Sequence, residues 1–320
     1  MPDLFAGPGG IDVAARALGI QLTGIEWDDS AVATRTAAGL PTIHGDVRKH
    51  GPGDLSDDRD ILAGGPPCQT FAIAGRGHGR AQLAALITAV KTAGTEGRMV
   101  VPAGLDDRTS LVLEPLRWIL EAHFDDRPYR AIVLEQVPAV LPVWQAYCEV
   151  LERMGYSAAA GVLNAEEYGT PQTRRRAALI ARLDADAALP EPTHRRYRKG
   201  LWQKADKPGL LPWQSMAQAL PDRKPFTVVS NYGTGGDPKN RGRRSCHEPA
   251  FTVTGKINRT RLVDPQGHDL DRFTHAEAGV LQGFPADYPW TGGDIPQQIG
   301  NACPVPLATA LLRAATAPAA

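Results

Sequence analysis

The stretch Asp3-Leu4-Phe5-Ala6-Gly7-Pro8-Gly9-Gly10-Ile11 decides how this chain is read. Asp3-Leu4-Phe5 ends a short strand, a glycine-rich turn follows, and Ile11 to Leu18 has the apolar spacing of a helix. A strand that turns through glycines into a helix lets a ligand approach the backbone and leaves helix N-terminal amides free to donate. The next strand is expected at Leu22-Thr23-Gly24-Ile25-Glu26, which puts Glu26 19 residues after Gly7. An acid about 20 positions on is what a ribose-binding site of the Rossmann type uses. Trp27 beside it offers an aromatic face to an adenine. Asp46, at the expected end of a third strand, can accept from an adenine amino group. For each acid the alternative is an exposed loop carboxylate, and for Asp46 taken alone that is the preferred reading.

Outward from this turn the same alternation continues. Strands are expected at Ile61-Leu62-Ala63, Ala131 to Leu134 and Ala177 to Ala181, with helices at Ser110 to His123 and Val143 to Met154. Strand, helix, strand in repetition predicts an α/β fold, a parallel sheet covered on both faces. Residues 82–106, rich in Ala, Thr and Gly, read as a surface insertion. From residue 186 Pro190, Pro192, Pro208, Pro212, Pro221 and Pro225 break the chain, and only short strand-like pieces such as Phe226-Thr227-Val228-Val229 remain. The expected division is a main domain over 1–185, a smaller loop-rich module over 186–271, and a return to the main domain over 272–320, with helices at Thr274 to Gln282 and Pro306 to Ala315.

Composition excludes several classes. No apolar run approaches the ~20 residues of a membrane span, and Met1-Pro2 running into the glycine turn argues against a signal peptide. Cys68, Cys148, Cys246 and Cys303 lie far apart with no C-x-x-C pair, which argues against a zinc site or a disulfide scaffold and for a reducing, cytoplasmic setting. No metal is expected. The net charge is zero, yet residues 172–261 hold 19 lysines and arginines against 7 acids while the whole chain has 35 of each. A module of +12 therefore sits beside a remainder of −12, an asymmetry that suits a polyanion along one face.

Chemistry concentrates at three further places. Pro66-Pro67-Cys68-Gln69 puts a thiol at the tip of a tight turn leaving the strand Ile61-Leu62-Ala63, where it reads as a nucleophile or as an incidental loop cysteine. Glu135 follows the apolar strand Ala131 to Leu134, at the carboxyl edge where open α/β sheets bind ligands. A partly desolvated carboxyl group there can donate to a ring nitrogen. Gln172-Thr173-Arg174-Arg175-Arg176 puts Gln172, Arg174 and Arg176 on one side of an extended segment, suited to phosphate or a base oxygen.

These pieces occur in an order that closely resembles the C5-cytosine DNA methyltransferases: Phe5-x-Gly7-x-Gly9, Pro66-Pro67-Cys68-Gln69, Glu135-x-Val137, Gln172-x-Arg174-x-Arg176, Leu281-Gln282-Gly283-Phe284-Pro285 and Gly300-Asn301-Ala302. The resemblance spans residues 3 to 310, with 186–271 unmatched in detail and standing where the family has its target-recognition domain. It implies a Rossmann-like S-adenosylmethionine-dependent methyltransferase sheet. The cofactor S-adenosylmethionine would lie against Phe5, Ala6, Gly7, Gly9, Gly10, Glu26, Trp27, Asp46 and Pro66, with Asn301 and Ala302 closing the site. Cys68 would attack cytosine C6, Glu135 would engage N3 and the amino group, Arg176 would contact O2, and Arg174 would support the same pocket. The partner would be double-stranded DNA, met by Gln69, Gln172, Arg241, Arg243, Arg244, Lys256 and Arg259. The protein is expected to be monomeric, and a cognate endonuclease is compatible with this reading.

The residues themselves fit that activity. Cytosine C5 is a poor nucleophile, and thiolate addition at C6 with Glu135 stabilising N3 converts it to an enamine carbon. A base inside a duplex cannot be reached, so it must be flipped out. The same chemistry serves on tRNA, and a catalytically silent DNA-binding protein could share the fold. The developed module at 186–271 favours DNA over RNA, and intact Cys68, Glu135 and Arg176 argue against silence. The chain departs from the family pattern in four ways. Gln136 stands where Asn is usual, and Ala72 and Ala74 replace common hydroxyl residues. The loop between Gly77 and Asp107 is lengthened, and Cys303 stands where valine is typical.

Overall fold

The fold is described from a computed structural model that covers residues 1–55, 60–67, 82–200, 209–230 and 241–318. Strand β1 (Pro2–Leu4) lies between β2 (Thr23–Glu26) and β4 (Ile61–Gly64), parallel to both, with Leu4 facing Ile25 on one side and Gly64 on the other. β3 (Thr42–His44) extends the sheet beyond β2, and β5 (Ala131–Gln136) continues it beyond β4. The last two strands depart from the expected parallel pattern. β6 (Ser157–Asn164) and β7 (Arg175–Arg182) form a hairpin, and β7 inserts between β5 and β6 antiparallel to both. Among the described residues the order is β3-β2-β1-β4-β5-β7-β6. The hairpin reverses the chain because β6 and β7 are joined by only ten residues, too few for the crossover that a parallel neighbour requires.

One face of the sheet is covered by α3 (Leu83–Glu96), α4 (Glu114–Phe124) and α5 (Leu141–Arg153), around a core containing Trp118, Ile119, Trp144 and Tyr147. The other carries α1 (Gly10–Ala17) and the C-terminal helix α8 (Val305–Thr316), with Ala14, Leu307 and Leu311 against Ile61, Val133 and Ile180. Here the sequence expectation for 82–106 is corrected. Leu86, Ala89, Val90 and Ala93 recur at helical spacing and are buried in the first core, so α3 is a structural layer rather than a surface insertion. Gly94 permits the approach, since a Cβ there would stand 2.6 Å from Val150 Cγ2.

Beyond the sheet, β8 (Thr227–Val229), β9 (Arg243–Ser245), β10 (Arg261–Val263) and β11 (Asp269–Leu270) form a small antiparallel sheet in the order β11-β10-β8-β9. Its core, Phe226, Val228, Val253, Ile257 and Leu262, is completed by Phe273, by Ala278 and Leu281 of α6 (His275–Leu281), and by Ile299 of α7 (Ile295–Asn301). The small sheet therefore packs on the same two helices that lead the chain back to the main sheet.

Candidate active site

The carboxyl ends of β1, β2, β4 and β5 and the N-terminus of α7 surround a cavity of about 420 Å³, the size of a small-molecule site. Its floor is the turn after β1. Phe5 and Gly7 both take left-handed backbone, with φ of 60° and 54°, and the Gly7 amide donates to Glu26 Oε2 at 2.7 Å. Glu26 Oε1 accepts from the amides of Trp27 at 2.9 Å and Asp28 at 2.8 Å. Burial raises the Glu26 pKa in spite of these three donors. Trp27 stands on the rim, 61% exposed. Asp46 also faces the cavity, but both its oxygens pair with Arg48, whose guanidinium holds the carboxyl below its usual range.

Of the residues expected to hold a cofactor, Phe5, Ala6, Gly7, Gly10, Glu26, Trp27, Asp46, Pro66, Asn301 and Ala302 all line this cavity. Gly9 lies behind it, where a Cβ would meet Leu40 at 2.4 Å, and it caps α1 with φ of 105°. Gly10 explains how the C-terminal end of the chain reaches the site: a Cβ there would sit 2.2 Å from Cys303 O. Cys303 itself is buried in the core, and burial pushes its thiol far up, so it packs as a small hydrophobe as expected. Cys148 is likewise raised, to about 11.

Beneath the turn lies a group that the sequence reading missed. Arg35 and Asp12 form a fully buried, two-pronged ion pair at 2.6 and 2.8 Å. Beside it Asp3, 1% exposed, faces the cavity with its carboxyl next to that of Asp12. Burial, aided by neighbouring Asp12, pushes the Asp3 carboxyl well above the ordinary range. The available signal was an acid inside the apolar first strand, where nothing but a ligand or an ion pair makes burial tolerable.

The catalytic candidates converge at the opposite wall. Glu135, at the end of β5, is buried, and its Oε1 lies 2.6 Å from Arg176 Nε on neighbouring β7. Gln136 turns inward next to it, donating through its side-chain amide to Pro66 O while Val137 N donates to its carbonyl. The longer residue thus still ties the Pro66-Pro67 turn to β5. Cys68 and Gln69 follow that turn, and with Ala72 and Ala74 they lie outside the described residues. Arg108 and Leu111 line the same cavity and were not singled out by the sequence.

Three expectations about charged and polar residues change. Gln172 was read as a DNA contact, but it is fully buried. Its amide donates to Leu281 O and Gln282 Oε1 at 2.7 Å and its carbonyl accepts from Val253 N at 2.9 Å. Arg174 borders the cavity, yet its guanidinium bridges Val253 O and Gly300 O, both at 2.8 Å, so it joins the small sheet to α7. Arg244, also read as a DNA contact, is held between the rings of Tyr197 and Phe251 at 4.8 and 4.3 Å and donates to Thr173 Oγ1, Pro249 O and Ala250 O. Period-two alternation along β9 accounts for this: Arg243 points out, and Arg244 points in. Arg243, Lys256 and Arg259 are exposed, and Arg241 is half-buried. Among the described residues no cluster of three or more metal-ligating side chains occurs, and no helix is long and apolar enough to cross a membrane.

A family profile described as C-5 cytosine-specific DNA methylase matches residues 1–90 and 105–317. The chain is 27% identical over 350 residues to Type II methyltransferase M1.HphI of Haemophilus parahaemolyticus, covering 98% of this chain and 85% of that one. It is 26% identical to Type II methyltransferase M.NlaX of Neisseria lactamica, covering 97% and 93%. The structure of the S. pombe Dnmt2 methyltransferase superposes with a TM-score of 0.62 at 18% identity, covering 97% of this chain and 96% of that one, a likeness in fold.

Proposed function

The chain belongs to the C-5 cytosine-specific DNA methylases and transfers a methyl group to C5 of cytosine in DNA; from that premise we propose which of its residues do so and how. The observation that carries the reading is that the Glu135–Arg176 pair, the Pro66-Pro67 turn before Cys68, and the Glu26-anchored glycine turn all line the same cavity.

The donor end of the cavity suits S-adenosylmethionine. Its amino and sulfonium groups are cationic, and Asp3 presents a buried carboxyl to the cavity. Glu26 would accept from the ribose hydroxyls, Trp27 would face the adenine, and Asn301 and Ala302 would close the side formed by α7. When bound, this group supplies an electrophilic methyl.

Glu135 and Arg176 would hold a flipped cytosine by its N3 edge and its O2, the guanidinium also fixing the carboxyl where the ring nitrogen arrives. The Cys68 thiolate would add to C6 as the Glu135 carboxyl gives a proton to N3, so that C5 becomes a nucleophilic enamine carbon. Once C5 carries the methyl, its proton would pass to solvent, and the C–H electron pair would re-form the C5–C6 double bond as the C6–sulfur bond breaks. N3 would return its proton to Glu135, restoring the thiolate and the ring. Gln136, through Pro66 O, would hold the Pro66-Pro67 turn that leads to Cys68. The Type II names of the relatives support a defined duplex sequence as substrate; residues 186–271 would be the reading module, and the working unit a monomer.

The test is duplex DNA carrying 5-fluorocytosine with labelled S-adenosylmethionine. Fluorine at C5 blocks the final elimination, so wild-type protein should be trapped covalently, whereas Cys68→Ala should bind the donor but neither methylate nor trap. Methylation at the normal rate by Cys68→Ala would remove this residue from the mechanism. Methyl transfer to tRNA and not to duplex DNA would replace the substrate.

A further inference from the structure

The exposed basic residues of the small sheet are not equivalent in how they are held. Thr254 and Gly255 are wedged backbone to backbone against α7, the helix whose residues Gln297, Gln298, Gly300 and Asn301 line the cavity. A Cβ on Gly300 would lie 2.2 Å from Gly255 N, and one on Gly255 would lie 2.2 Å from Gln297 Oε1. One residue earlier, Val253 is fastened through its carbonyl to Arg174 and through its amide to Gln172. The segment that follows is equally fixed. Ile257 is buried in the small core, Arg272 donates to Asn258 O at 2.7 Å, and Ile257–Arg259 form a tight helical turn.

On this rigid turn Lys256, Asn258 and Arg259 are exposed, and among the described residues their side chains make no hydrogen bond or ion pair. Arg244, by contrast, is occupied by two rings and three oxygens.

A side chain that discriminates bases next to a flipped nucleotide must stand at a fixed offset from the pocket, because a misplacement of an ångström loses a bidentate hydrogen bond. Phosphate contacts tolerate more play and carry no sequence information. We infer that the turn Lys256–Arg259 reads base edges immediately flanking the target cytosine, with Arg259 and Lys256 suited to guanine and Asn258 to adenine, while Arg243 on β9 holds phosphate. This rests on the proposed activity and goes beyond it by assigning sequence choice to three side chains.

The experiment uses the full chain on a duplex library with randomised positions on both sides of cytosine, read by bisulfite sequencing. Lys256→Ala, Asn258→Ala and Arg259→Ala are compared with wild type and with Arg243→Ala. At least one of the three turn variants should lose preference at one position within two base pairs of the modified cytosine, by roughly tenfold to a hundredfold, and leave other positions unchanged. Arg243→Ala should weaken DNA binding to all sequences alike. Three turn variants with unchanged preference and merely weaker binding would reduce them to phosphate contacts and overturn the assignment, as would a wild type that methylates cytosine without preference. A wild type that methylates no cytosine in the library defeats the proposed activity itself, an outcome distinct from the other two.

Discussion

Asp3 and Glu26 show how single residues at this site trade stability for binding. Both are buried carboxyl groups whose pKa values are raised chiefly by desolvation. The sign for stability follows from that direction. A raised folded-state value favours the folded protein below the unfolded carboxylate range, and that contribution is lost as pH rises through the folded value. Asp3→Asn should therefore hold or raise the thermal midpoint of the free protein at pH 8 while weakening S-adenosylmethionine binding, both measurable on one sample by melting and calorimetry. A lowered midpoint with unchanged affinity would make Asp3 a purely structural group. In the proposed role Glu26 accepts from the ribose in its charged form, so donor affinity should fall as pH is lowered through its raised pKa. Glu26→Gln should flatten that dependence and cost about 1–3 kcal/mol of binding, a several-fold to hundredfold loss. Identical pH profiles in the two proteins would move the ribose site elsewhere.

Among the elements, α3 carries the sharpest difference between composition and structure. Alanine, threonine and glycine at 82–106 gave no strong apolar stripe, yet four of its residues close the core against α5. Leu86→Ala should lower unfolding free energy in urea by about 2–5 kcal/mol, the cost of a buried cavity, whereas a surface leucine would change it by roughly half a kcal/mol or less. β6 escaped notice for a related reason. Ser157-Ala158-Ala159-Ala160 has little β preference, and its strand state comes from pairing with β7 along all eight residues. The glycine turn, Ile25-Glu26, β4 and β5 were legible because each strand is a short apolar run bounded by turn chemistry. So was the helix pattern at 143–154, where apolar residues recur at helical spacing.

Across the whole molecule the small sheet is joined to the cavity by Gln172, Arg174 and the Gly255–Gly300 contact. Gln172→Ala leaves Val253 N, Leu281 O and Gln282 without this partner, and each buried group so exposed costs about 1–3 kcal/mol. It should therefore lower stability and turnover while keeping the salt dependence of DNA binding. Arg243→Ala should do the reverse: melting unchanged, and the slope of log K against log salt shallower by about one phosphate contact. Equal effects of the two on the salt slope would put Gln172 at the DNA surface after all.

By itself the amino-acid sequence determined the α/β class, the order of the motifs and the glycine turn, Glu26, Trp27 and Asp46 that line the cavity, because strand ends, glycine turns and acids at set spacing act within about 20 residues of each other. Pro66, Asn301 and Ala302, also on the cavity, came from the family resemblance. Only the tertiary structure decided which members of a local pattern face the ligand and which hold the molecule together. Gln172 and Arg174 stand on the side of the strand that also holds Arg176, and Arg244 follows Arg243 by one residue. Whether such a side chain meets water, base or a backbone carbonyl depends on segments some 40 to 130 residues away in the chain, at Glu135, Val253 and Gly300. Asp3 is the same lesson in reverse: its burial beside the Asp12–Arg35 pair follows from packing between β1, α1 and the helix α2 (Asp29–Ala37), which no local spacing records.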